Sequence, residues 1–120
     1  MARAALNTIY KLSTTTAVDM KTVAATTLYT VQPGRTLYVV AVVIRNNSAS
    51  LAGGTDYDFT TWRQTVDLSG MTVTTGFRVL YATDNTTYTA IAAGGTFQIS
   101  VATGSTAACT ATIDVFGYLA

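Results

Sequence analysis

The chain has 120 residues, 49% of them hydrophobic and only 11% charged, with a net charge of +1 at neutral pH. Its five arginines (Arg3, Arg35, Arg45, Arg63, Arg78) are dispersed rather than massed in a stripe, so neither nucleic acid nor an acidic membrane is an expected partner. Histidine and glutamate are absent, which removes imidazole general bases, Ser-His-Asp relays and the usual zinc sites.

In chain order, the first two dozen residues stand apart. Leu6 to Leu12 reads as a short strand, and the polar stretch Ser13 to Lys21 interrupts it. Residues 1–24 are therefore either an edge strand with a loop or an arm that reaches a neighbour. From residue 25 to 120 the pattern is regular. Thr27 to Val31 is a strand that runs into Gln32-Pro33-Gly34-Arg35, where proline presets the second position of a type II turn and glycine accepts positive φ at the third. Thr36 to Asn46 is the longest strand, followed by a loop, Asn47 to Thr55, with a glycine pair.

Asp56 to Trp62 alternates, with Tyr57 and Phe59 on one face and Asp56, Asp58 and Trp62 on the other. Phe77, Val79 and Tyr81 alternate with Arg78, Leu80 and Ala82, and parity groups Tyr57 and Tyr81 with Phe59 and Phe77 in the core. After loops at Asp84-Asn85 and Gly94-Gly95, Phe97, Ile99 and Val101 alternate with Gln98 and Ser100. In the final strand Cys109, Ala111, Ile113 and Val115 share one face. Period-2 alternation with closely spaced turn signals predicts an all-β, antiparallel β-sandwich, and no segment holds a helical period over the needed length.

The strand Leu37 to Ile44 breaks the rule. Leu37, Val39, Ala41 and Val43 form one apolar face, and Tyr38, Val40, Val42 and Ile44 form another. An antiparallel sheet usually turns one polar face to water. A strand apolar on both sides must be covered twice, by a segment of its own chain or by another subunit. Sparse charge favours the subunit, because a free monomer normally carries more surface charge. The candidate interface is then Tyr38, Val40, Val42 and Ile44, joined by Trp62 and Arg63, two residue types enriched where proteins meet.

Chemistry-bearing residues are few. Cys109 sits mid-strand on the apolar face and reads as a core residue, and a lone cysteine suits assembly in a reducing compartment. Asp56 and Asp58 share a strand face about 7 Å apart. Paired carboxylates at such a distance suit glycoside hydrolysis or a hard cation, but solvated sheet-edge aspartates are the simpler account. No catalytic residue, cofactor or metal site is expected. The start of the chain lacks the apolar stretch of a signal peptide, and its longest apolar run is too short to span a bilayer.

Two stretches carry a resemblance. One is Leu28-Tyr29-Thr30-Val31-Gln32-Pro33-Gly34-Arg35-Thr36-Leu37-Tyr38-Val39, leading to Val43-Ile44-Arg45-Asn46-Asn47-Ser48. The other is Ile91-Ala92-Ala93-Gly94-Gly95-Thr96-Phe97-Gln98-Ile99, ending on Ile113-Asp114-Val115-Phe116-Gly117-Tyr118-Leu119. Together they resemble small jelly-roll or β-sandwich virion proteins of tailed bacteriophages, over roughly residues 25–119. The resemblance implies a jelly-roll-like sandwich acting as a non-enzymatic capsid decoration, head-fibre or tail module. Such a module assembles in the bacterial cytoplasm with copies of itself and other virion proteins. It transfers no functional residue, because the shared pattern is structural. The alternative is a carbohydrate- or receptor-binding module at a fibre tip, using Asn47 to Thr55 and Asp84 to Tyr88 to meet a host-surface glycan.

Overall fold

Threonine, valine and aromatic residues lose rotamer freedom in a helix and fit a pleated surface. A computed structural model describes residues 8–73, 76–82 and 90–120, and its regular elements are strands. Among the described residues these are β1 (Tyr10–Asp19), β2 (Ala25–Thr30), β3 (Leu37–Arg45), β4 (Asp56–Phe59), β5 (Phe77–Tyr81), β6 (Ala90–Ile91), β7 (Thr96–Thr103) and β8 (Thr110–Leu119). Sheet A has the order β1-β8-β3-β5, with β6 also paired to β3, and sheet B has the order β2-β7-β4. All pairings are antiparallel. The sheets pack against each other as a β-sandwich.

Sheet B contributes Tyr57, Phe59, Phe97, Ile99 and Val101 to the core, and sheet A contributes Leu37, Val39, Val42, Ile44, Leu80, Ile113 and Val115. Phe59 stacks on Phe97 with ring centroids 5.9 Å apart. The expected faces of β7 and β8 are the observed ones: Phe97, Ile99 and Val101 point in, as do Cys109, Ala111, Ile113 and Val115. The predicted turn after β2 also forms. Gly34 has φ +78°, and the Arg35 amide donates to the Gln32 carbonyl at 3.3 Å.

Four expectations need correction. The polar stretch after Leu12 does not interrupt the first strand but carries it. β1 runs to Asp19 at the edge of sheet A, its register with β8 shifting twice, and Val18 and Met20 beyond it are buried. The expected segment Leu6 to Leu12 lies partly outside the described residues.

The second correction concerns β3. Its register with β8 runs Leu37↔Leu119 to Val39↔Gly117, then resumes at Ala41↔Phe116. Val40 is thus an extra residue, a β-bulge, and the side-chain parity reverses there. Leu37 and Val39 face the core before it, Val42 and Ile44 face the core after it, and Val40 and Val43 stay partly exposed on the outer side. Gly117 permits the close approach, since a Cβ there would meet the Tyr38 carbonyl oxygen.

The third correction follows from the second. β5 pairs with β3 so that Leu80 opposes Val42 and Arg78 opposes Ile44. Directly opposed residues share a face, so Leu80 enters the core. Phe77 and Tyr81, expected inside, stand 64% and 62% exposed.

Trp62 is the fourth. It is buried, edge-on to Phe59 and to Phe97. β4 ends at Phe59, and a turn follows in which the Trp62 amide donates to the Phe59 carbonyl and Thr61 takes φ +46°. Strand parity does not carry through a turn, so the indole swings back over the core.

Truncating a ring in this packed layer leaves a cavity as well as lost burial. Phe97→Ala is expected to lower unfolding stability by about 3–5 kcal/mol. Gln98→Ala, beside it on the outer face, is expected to cost under about 1 kcal/mol, since its exposed amide bonds only Thr27 through the side chain. Urea denaturation of both variants checks the face assignment.

Candidate functional site

The two outer faces of the sandwich differ in kind. On sheet B the outward positions are polar: Gln98 and Ser100 from β7, Asp56 and Asp58 from β4, and Thr27 from β2. Sheet A is the opposite. Its outward row includes Tyr38, Val40 and Val43 from β3, Phe77, Val79 and Tyr81 from β5, and Phe116 and Tyr118 from β8. Val43 lies directly across from Val79, and Ala41 lies between Tyr81 and Phe116. Tyr38 and Tyr118 stack with ring centroids 4.9 Å apart.

In the middle of this face the surface dips into a groove of about 410 Å³, lined by Ile9, Val40, Ala41, Val43, Val79, Tyr81 and Phe116. The bulge shapes it, because Val40 and Ala41 are consecutive and both line it. Ile9 at one margin is half exposed, as is Tyr10 beside it.

An ion pair closes one end of the apolar face. Arg45 Nε donates to Asp114 Oδ2 at 2.8 Å, and Thr14 Oγ1 donates to Asp114 Oδ1 at 2.6 Å. Asp114 is buried although it points outward, because the Arg45 side chain and Thr14 cover it. Burial disfavours its charge, but the hydrogen bonds from Arg45 and Thr14 and the charges of Arg45 and Lys11 outweigh that, and its carboxyl is held below the usual range.

The expected interface residues therefore divide. Tyr38 and Val40 lie on the outer face of sheet A, whereas Val42, Ile44 and Trp62 are core residues. Arg63 is partly exposed and ties the turn after β4 to the end of β5, its Nη1 donating to the Tyr81 carbonyl at 2.6 Å. Residues missed from sequence are Phe77, Val79, Tyr81, Val43 and Phe116. A partial signal existed: the parity of Phe77, Val79 and Tyr81 in β5 is wholly apolar, and the other parity carries Leu80 beside Arg78.

Asp56 and Asp58 do share the outer face of sheet B. Burial and its hydrogen-bonded, like-charged neighbour Asp58 raise the Asp56 carboxyl above its usual range. Asp58 in turn accepts from the Thr65 amide at 2.7 Å. Cys109 is buried, with Sγ 3.3 Å from the Ala49 carbonyl. The loop Asn47 to Thr55 is pinned by Asn47, whose Nδ2 donates to the Ala49 and Thr72 carbonyls, and by buried Leu51. Asp84 to Tyr88 lies outside the described residues.

Among the described residues no three metal-ligating side chains gather, and no helix is long and apolar enough to cross a membrane. No protein-family model, curated protein or solved structure matches the chain.

The carboxyl shifts set a pH dependence. Asp114 is depressed, so its contribution is full above the ordinary aspartate range near pH 4 and fades as pH falls through its lower folded value. Asp19 and Asp67, depressed chiefly by hydrogen bonds from Lys21 and Ser69 respectively, act in the same direction. Asp56 is raised and acts oppositely: its charged form is disfavoured, so it weakens the fold as pH rises past its unfolded value. Asp114→Asn is expected to lower stability at neutral pH by about 1–3 kcal/mol and to flatten the acid limb. Asp56→Asn is expected to melt no lower than the parent at pH 7. Thermal melts of both variants between pH 2 and 7 check the signs.

Proposed function

We propose that this chain is a non-enzymatic structural module of a virion of the tailed-bacteriophage kind, one that associates with copies of itself and decorates or stabilises a capsid or tail. The observation that carries the reading is the outer face of sheet A, an apolar, aromatic-rich surface of the sort that monomeric proteins rarely leave uncovered. Cohesion is then the mechanism: weak contacts repeated across many copies add up through multivalency.

The strand order supports a jelly-roll reading of the sandwich. β1, β8, β3 and β6 lie side by side in one sheet, and β2, β7 and β4 in the other. The pairings β1·β8, β2·β7 and β3·β6 are those of one long hairpin rolled into two sheets, a form common in viral shells. The departure is β5, which pairs with β3 rather than with β4.

The groove does not favour a glycan site. Sugar recognition needs hydrogen-bonding side chains beside an exposed ring. Around Tyr81 stand Val40, Val43 and Val79, which offer none.

Quantitative mass spectrometry of particles purified from the culture that encodes the chain tests the proposal. Many copies per particle, placed on the shell or tail by cryo-electron microscopy, are expected, and absence from purified particles overturns it. Asp56→Asn combined with Asp58→Asn is expected to leave incorporation unchanged. A hydrolytic activity of the chain that vanishes in this double variant overturns the non-enzymatic part.

A further inference from the structure

We infer that the outer face of sheet A is the surface through which two copies of this chain pack, face to face about a two-fold axis, with exposed rings of each copy seated in the groove of the other. The inference rests on the self-association proposed above and names its surface and geometry.

Size is the first argument. Four strands spaced about 4.8 Å apart, over roughly seven residues at about 3.3 Å each, give a face of roughly 19 by 23 Å. Two such faces, pressed together at the ordinary sheet-to-sheet distance, remove on the order of 1,000 Å² from water once side-chain relief is included. That reaches the lower bound for a specific protein–protein interface.

Charge is the second. Among the described residues the ion pair on the face is internal, Arg45 with Asp114, and Lys11 sits at the margin opposite Phe116 on edge strand β1. An identical face therefore meets no opposed like charge in its centre. A strongly charged partner finds nothing there to pair with, and an anionic bilayer finds no basic cluster. A centre depleted of charge and rich in Tyr and Phe, with charge kept to the rim, is the anatomy of an interface core.

Shape is the third. A two-fold interface must be self-complementary, offering both a projection and a recess on the same patch. This face has both: Tyr81 and Phe77 project, and the groove beside them measures about 410 Å³. A cavity of about 150 Å³ accommodates a benzene ring, so the groove has room for more than one.

Sedimentation equilibrium of the full chain and three variants tests the inference. Tyr81→Lys and Phe77→Lys change exposed side chains, so their circular dichroism should match the parent. Gln98→Lys places the same charge on the outer face of sheet B. The parent and Gln98→Lys are expected as two-copy species, and each sheet A variant is expected to weaken dimerisation at least about 30-fold. An oligomer that survives both sheet A variants overturns this surface but leaves self-association standing. A three-copy species lost in those variants overturns the two-fold geometry. A parent that is monomeric at millimolar concentration overturns the self-association reading as well. If that monomer binds virion shells through Tyr81 and Phe77, the occupant of the face is another virion protein and the second copy is excluded.

Discussion

The extra residue in β3 governs which side chains this molecule hides and which it shows. β3 is central in sheet A, bonded to β8 along one edge and to β5 and β6 along the other. The bulge at Val40 reverses the parity of everything after it, so Val42 and Ile44 enter the core in place of Ala41 and Val43. β5 has no register shift against β3 and inherits the reversed parity. The aromatic rings of β5 therefore reach the surface because of a residue some forty positions earlier. Gly117 is the counterpart on β8, the place where the bulged backbone comes too near for any side chain.

That reversal gives the sandwich its two unlike outsides. Sheet B shows hydroxyls, amides and the Asp56–Asp58 pair, a polar row in contrast to sheet A. Sheet A shows valine and aromatic rings, with the Asp114 carboxylate covered by Arg45 and Thr14. Burying a side chain of this size stabilises by roughly 1.5–3 kcal/mol relative to leaving it in water. The inner faces realise that gain within one chain, with Phe59, Trp62 and Phe97 in mutual ring contact. The outer face of sheet A holds an equivalent gain that nothing among the described residues takes up.

Fold class was legible because alternation is a local property. β7 and β8 read correctly residue by residue, since no shift interrupts their buried rows. The type II turn at Pro33-Gly34 read correctly because its chemistry is contained in four residues. The errors share one cause, an event that resets parity without a local sequence mark. At Val40 that event is an inserted residue within an unbroken apolar run, which any register fits equally well. At Trp62 it is a turn with Thr61 at positive φ, a conformation β-branched residues rarely adopt and sequence gives no reason to expect. In β1 it is a pair of register shifts in a threonine-rich stretch whose polarity reads as loop. The doubly apolar character of β3 did point to an uncovered surface on sheet A, while naming half of its residues from the wrong side of the bulge.

The irregularity of β1 has a bearing on how such a domain avoids uncontrolled growth. An outermost strand with free amides and carbonyls is a template on which another chain can add a strand, and then another, without limit. β1 is ten residues long, but its ladder with β8 is broken at two places and Ala17 turns into the left-handed region. Each break twists the free edge and spoils the even spacing an incoming strand needs. These breaks make the β1 edge a poor template for strand addition, so the sheet resists open-ended growth from that side.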